Sequence, residues 1–173
     1  MILTIKPFGT VDPTLLEFLQ TELVDMGEVH LSEARSVPAS FINRTREGQI
    51  QYLASEFERA MAHERGDRVL AVTDVDLFER GSNFVFGRAT IQDRYAVISV
   101  ARFGSDGHDK LLDRSAKTAI HELGHTLGLL HDDANPDCVM HFSEKLEDTD
   151  RKGRAFCARC KAAAAFTLSR LRT

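Results

Sequence analysis

His121-Glu122-Leu123-Gly124-His125-Thr126-Leu127-Gly128-Leu129-Leu130-His131 decides how this chain is read. At about 100° per residue, positions four apart share one helix face. His121 and His125 therefore project together, with backbones about 6 Å apart along the axis. Glu122 lies about a quarter-turn round, where its carboxylate reaches a metal-bound water without itself ligating. His131 cannot join the pair on a continuing helix, because ten residues on it would sit about 15 Å further along. The helix must stop and the chain turn back, and Gly128 stands where a left-handed residue permits this at little steric cost. Three neutral imidazoles leave one corner of a tetrahedron for water, the layout of a catalytic zinc site. The bland reading, a buried helix with incidental histidines, accounts poorly for the glycine and third histidine of HExxHxxGxxH.

Composition sets the class. The 173 residues suffice for one domain with a substantial core, and 43% hydrophobic against 28% charged residues is ordinary for a soluble globular protein. A net charge of −4 gives no reason to expect nucleic acid or an anionic membrane as partner. No apolar run has the length of a membrane span, and the opening MILTIKPFG lacks the pattern of a signal peptide. The expected location is cytoplasmic. Three cysteines in a reducing compartment read better as metal ligands than as a disulfide framework.

Outward from the central stretch, residues 2–7 alternate as a first strand, and Asp12-Pro13 opens a helix that Gly27 ends. A second extended piece is expected at 29–37, a polar loop at 43–49 and a second helix at 50–63. The apolar run within 68–78 suits one buried parallel strand, and 83–91 with 94–103 suit an antiparallel pair turning at Gln92-Asp93. A long helix over 110–129 carries the histidines, and a last helix spans 157–171, with Arg170 and Arg172 on a solvated end. The expectation is an α/β (α+β) fold, a twisted mixed sheet of about five strands with helices packed on it. Residues 1–131 would form an N-terminal subdomain, and 132–173 a small C-terminal subdomain with a helix.

The second constellation is Cys138 with Cys157-Ala-Arg-Cys160. CxxC lets two thiolates point at one ion, and Cys138 could supply a third ligand. Asp132, Asp133 or His141 could complete the set. A redox dithiol or plain buried residues are the alternatives. Met140, nine residues beyond His131, suits an apolar floor beneath the three histidines.

Together, HELGHTLGLLH, CVM and FCARC resemble the archaemetzincins, a branch of the metzincin metallopeptidases, over about residues 121–160. The resemblance implies a metzincin-like fold in which His121, His125 and His131 hold a catalytic zinc and Glu122 is the general base. It makes Met140 the Met-turn residue and places 83–89 along the substrate cleft. It assigns Cys138, Cys157 and Cys160 to a second, structural zinc, giving two ions per chain. The family uses four cysteines there, one directly after the third histidine. This chain has Asp132 instead, the first candidate for fourth ligand. Phe142 stands where several other metzincins carry a tyrosine that reaches the metal. The implied function is zinc-dependent peptide hydrolysis by an activated water, with a peptide or small protein as substrate. The alternative is a non-catalytic, zinc-stabilised peptide-binding module.

Overall fold

The computed structural model describes residues 1–171, so Arg172 lies outside the described residues. Its centre is β5 (Arg68–Thr73), buried at every position. β1 (Ile2–Phe8) and β8 (Tyr95–Ser99) pair with it in parallel, with Ile5 opposite Leu70 and Val72 opposite Ile98. β2 (Glu28–Leu31) runs parallel to β1, and β7 (Gly87–Ala89) closes the other edge antiparallel to β8. The five-stranded order is β2-β1-β5-β8-β7.

Side chains alternate between two cores, as strand geometry requires. Leu70, Val72, Leu3, Ile5, Ala96 and Ile98 face α1 (Pro13–Glu22) and α3 (His108–Thr126). The Cys138–Met140 segment and α5 (Ala158–Leu171) join this same core through Cys160 and Ala164. Val69, Ala71 and Val97 face α2 (Ala54–Ala60) and an edge-to-face cluster of Phe8, Phe41 and Phe57. Asp12 caps α1, accepting the Thr14 N–H at 2.9 Å.

Several expectations are corrected. The polar stretch 43–49 is no loop: β3 (Asn43–Arg46) and β4 (Gln49–Leu53) form a hairpin. Glu47 and Gly48 both take positive φ at its turn, as a tight two-residue connection needs. The strand was hidden because Asn-Arg-Thr-Arg carries no apolar alternation. The helix expected over 50–63 loses its first turn to β4 and ends at Ala60, and Ile50, which would open its apolar face, is exposed. The single strand expected within 68–78 is two, because β6 (Asp76–Phe78) leaves the main sheet and pairs with β4. Of 83–91 only β7 joins the sheet, and the preceding residues form a rim loop. Arg44 holds this loop by the carbonyls of Ser82 and Asn83, at 2.8 and 2.9 Å, while Gln51 holds that of Asn83 at 3.0 Å.

Two buried arginines set the position of α3. Near its C-terminus, Arg68 donates to the Thr126 hydroxyl at 3.1 Å and carbonyl at 3.0 Å, satisfying a carbonyl the helix leaves over. In its first half, Arg114 grips both Asp150 oxygens at 2.9 Å and the Phe103 carbonyl at 3.0 Å. Asp150 belongs to α4 (Leu146–Arg151), a short helix missed in the sequence, so this pair ties the C-terminal segment to α3. Replacing Arg114 by Ala should cost about 3 kcal/mol, because it strips a nearly buried ion pair of one partner. Urea denaturation followed by circular dichroism checks this, and a loss below about 1 kcal/mol would mean that the pair is mostly solvated.

Candidate active site and metal centres

α3 ends as the three-histidine geometry demands. The Gly128 N–H bonds the His125 carbonyl at 2.9 Å and the Leu129 N–H bonds the Gly124 carbonyl at 3.0 Å, with Gly128 at φ +93°. This 6→1 and 5→2 pair is the Schellman stop. The chain reverses and carries His131 back. Ring nitrogens of His121, His125 and His131 then all lie within 4.8 Å of one another. His121 and His125 face each other Nε2 to Nε2 at 3.2 Å.

Orientation comes from the opposite ring nitrogens. Nδ1 of His121 lies 2.8 Å from the Val139 carbonyl, and Nδ1 of His125 lies 2.7 Å from the Leu129 carbonyl. A carbonyl only accepts, so each Nδ1 carries the proton and each Nε2 keeps its lone pair. Burial lowers the pKa of all three imidazoles and so favours the neutral, ligating form. Nitrogens about 2.1 Å from a tetrahedral zinc stand about 3.4 Å apart, so the donor set fits zinc.

Glu122 faces a cleft of about 480 Å³ beside these histidines. Burial pushes its carboxyl up to about 8. It lies against the edge strand, where a Cβ on Gly87 would come within 2.7 Å of its Cγ and 2.9 Å of the Val97 carbonyl. Only glycine lets strand and carboxylate approach so closely. On the other side Lys152, buried, stands with its Nζ 3.3 Å from His121 Nδ1, and burial brings its ammonium down to about 8. Beneath the site Met140 is fully buried, and a Cβ on Gly124 would fall 2.4 Å from its sulfur. Phe142 packs on His131 with ring centres 5.1 Å apart, taking the place of any polar group there.

The second cluster brings Asp132, Cys138, Cys157 and Cys160 together, their ligand atoms all within 4.8 Å. Asp132 Oδ2 lies 3.0 Å from the Cys157 sulfur and 3.7 Å from that of Cys160. The Cys157 thiol's hydrogen bond is the main cause holding the Asp132 carboxyl below its usual range, and burial pushes the Cys160 thiol up to about 12. Sulfurs about 2.3 Å from tetrahedral zinc stand about 3.8 Å apart, which this set approaches. Arg159 pairs with the other oxygen of Asp132. Of the three candidates for fourth ligand, only Asp132 joins the thiols. Asp133 is exposed and accepts the Phe142 N–H at 3.2 Å, while His141 stands 3.9 Å from Asp133.

The model for peptidase family M54 matches residues 17–164. The chain belongs to that family, the archaemetzincins. An archaemetzincin from Pyrococcus abyssi is 36% identical over 173 residues, covering 92% of each chain. The crystal structure of archaemetzincin from Methanopyrus kandleri superposes with a TM-score of 0.86 at 35% identity, covering 98% of this chain and 96% of that one. A zinc-dependent peptidase from Methanocorpusculum labreanum follows at a TM-score of 0.79 and 26% identity, with 94% and 99% covered. The protein is thus a zinc metallopeptidase of the archaemetzincin family, with the mixed α/β fold of those structures.

Sequence reasoning missed Lys152, Gly87 and Gly124. Gly124 stands inside the motif and could have been read as the small residue under Met140. Lys152 and Gly87 carry no local signal, since their neighbours come from distant segments. Gly128→Ala should cost about 1 kcal/mol, because the left-handed backbone resists a Cβ. Denaturation of the metal-free protein measures that cost apart from any metal binding, and an unchanged midpoint would remove the strain argument.

Proposed function

We propose that the protein hydrolyses peptide bonds with His121, His125 and His131 as ligands of a catalytic zinc and Glu122 as general base. The observation that carries this is the convergence of three imidazoles, two of them held by backbone carbonyls at Nδ1 so that Nε2 is presented, beside a buried carboxylate in one cleft. Bound zinc supplies Lewis acidity, which brings the ionisation of water towards neutral pH.

The residues of the chain do the rest. Glu122 takes a proton from the attacking water and returns it to the departing amine, and its place against Gly87 keeps it at the substrate's strand. The edge of β7 offers main-chain groups to an extended peptide, as strand addition requires. His121 and His125 hold their orientation through the Val139 and Leu129 carbonyls, which limits reorganisation at the site. Met140 forms the apolar floor.

A second zinc, held by Cys138, Cys157 and Cys160 with Asp132 as fourth ligand, secures the C-terminal segment. The chain then divides in function at His131, with 1–131 supplying sheet, helix and ligands and 132–173 supplying floor and cysteine centre. The three free thiols fit a reducing, cytoplasmic location. Among the described residues no helix is long and apolar enough to cross a membrane.

Glu122→Gln should retain zinc and lose about a hundred- to ten-thousandfold in kcat against peptide substrates. Wild-type turnover in that variant would sink the role of Glu122. Zinc analysis should find about two ions per chain in the wild type and about one in Cys157→Ser/Cys160→Ser. One ion in both proteins would reduce the cysteine cluster to packing.

A further inference from the structure

The cleft has a second polar end that the histidines and Glu122 leave unused. Lys152 is 4% exposed and lines it. Burying an ammonium is unfavourable without an anionic partner. The other buried lysine, Lys117, pairs with Asp113 at 2.7 Å. No carboxylate lies within ion-pairing distance of Lys152 among the described residues, and the strongest attraction on it comes from the Glu122 carboxylate further across the cleft. Its Nζ donates to the His141 carbonyl at 2.9 Å. Its other neighbour, His121 Nδ1, already gives its proton to Val139, so Lys152 keeps N–H capacity that the fold leaves open.

A second group points the same way. The Ser143 hydroxyl oxygen is buried, has no hydrogen-bond partner and belongs to a residue lining the same cleft. Two other polar side chains lining the cleft are engaged. Thr118 donates to the Arg114 carbonyl at 2.8 Å, and Arg88 is paired with Glu58 and Glu79. Glu144 is exposed and also lines the cleft. His121 stands between the two ends, its Nε2 towards the other histidines and its Nδ1 towards Lys152. An anion on Lys152 is therefore one imidazole's breadth from the hydrolytic centre.

We propose that this end of the cleft is a carboxylate-recognition subsite, in which the Lys152 ammonium and the Ser143 hydroxyl take a substrate carboxylate adjoining the cut bond. That carboxylate belongs either to an acidic side chain or to the free C-terminus of a short peptide. The inference rests on the peptidase reading above. Charge-assisted hydrogen bonding in a buried site discriminates an acid from its amide by about ten- to hundredfold.

The test compares kcat/KM for peptides of one sequence that carry Glu or Gln after the cut bond, each with a free or an amidated C-terminus placed there. Wild type, Lys152→Met and Ser143→Ala are assayed in parallel. The wild type is expected to prefer one carboxylate over its neutral counterpart by about ten- to hundredfold, and the preferred peptide names the source. Lys152→Met should abolish the ratio. Ser143→Ala, which leaves the ammonium in place, should lower it severalfold and carries the test should Lys152→Met not fold. A wild type indifferent to the carboxylate, or a ratio preserved in both variants, overturns the subsite. Should the wild type cleave none of the peptides, the peptidase reading fails by itself. Calorimetric titration with glutarate and with its monoamide then decides the subsite. Tighter glutarate binding that is lost in Ser143→Ala and Lys152→Met supports it, and equal affinities overturn it.

Discussion

A third imidazole reaches two that stand one turn apart on a helix only if that helix ends almost at once. This constraint organises the molecule. The Schellman stop at Gly128 turns the chain back, and the carbonyl it places at Leu129 also holds His125 by its Nδ1. One local backbone event therefore ends the helix, returns His131 and orients the second histidine. The turn between β7 and β8 adds to it, since the Gln92 N–H bonds the His125 carbonyl at 3.0 Å.

The rest of the fold holds that helix end against the edge strand. α3 packs on the parallel sheet through small and apolar residues, while Arg68 and Arg114 hold it near its end and in its first half. The small sheet β3-β4-β6 contributes neither a histidine of the cluster nor Glu122. Its side chains Arg44 and Gln51 nonetheless secure the rim loop whose phenylalanines line the cleft. The C-terminal segment closes the site from below. Val139 orients His121, Met140 fills the space that Gly124 leaves, and Lys152 rests beside His121.

The two candidate metal-ligand clusters meet in the chain at His131 and Asp132, adjacent residues that face different groups. Carboxylate is a harder donor than thiolate, so a cluster of Asp132 with three cysteines offers an ion a harder donor set than four thiolates would. Arg159 engages one oxygen of Asp132, which leaves the other to the sulfurs.

By itself the sequence determined what local spacing can express. The i, i+4 histidines, the left-handed glycine, the Asp12 cap and the buried run of β5 all follow from interactions within a few residues. It misled where periodicity spoke without packing: Ile50, Leu53 and Phe57 are spaced like a helix face, yet pairing of Ile50 with Thr45 across the hairpin and of Leu53 with Phe78 drew the first two into a strand. Hairpin β3-β4 was illegible because its polar strands are held by pairing rather than by an apolar face. Only tertiary structure decided that Asp132 rather than Asp133 or His141 meets the thiols, that Gly87 makes room for Glu122, and that Lys152 lies buried in the cleft. Each depends on segments distant in sequence being brought within contact distance, and no local pattern of residues encodes that distance.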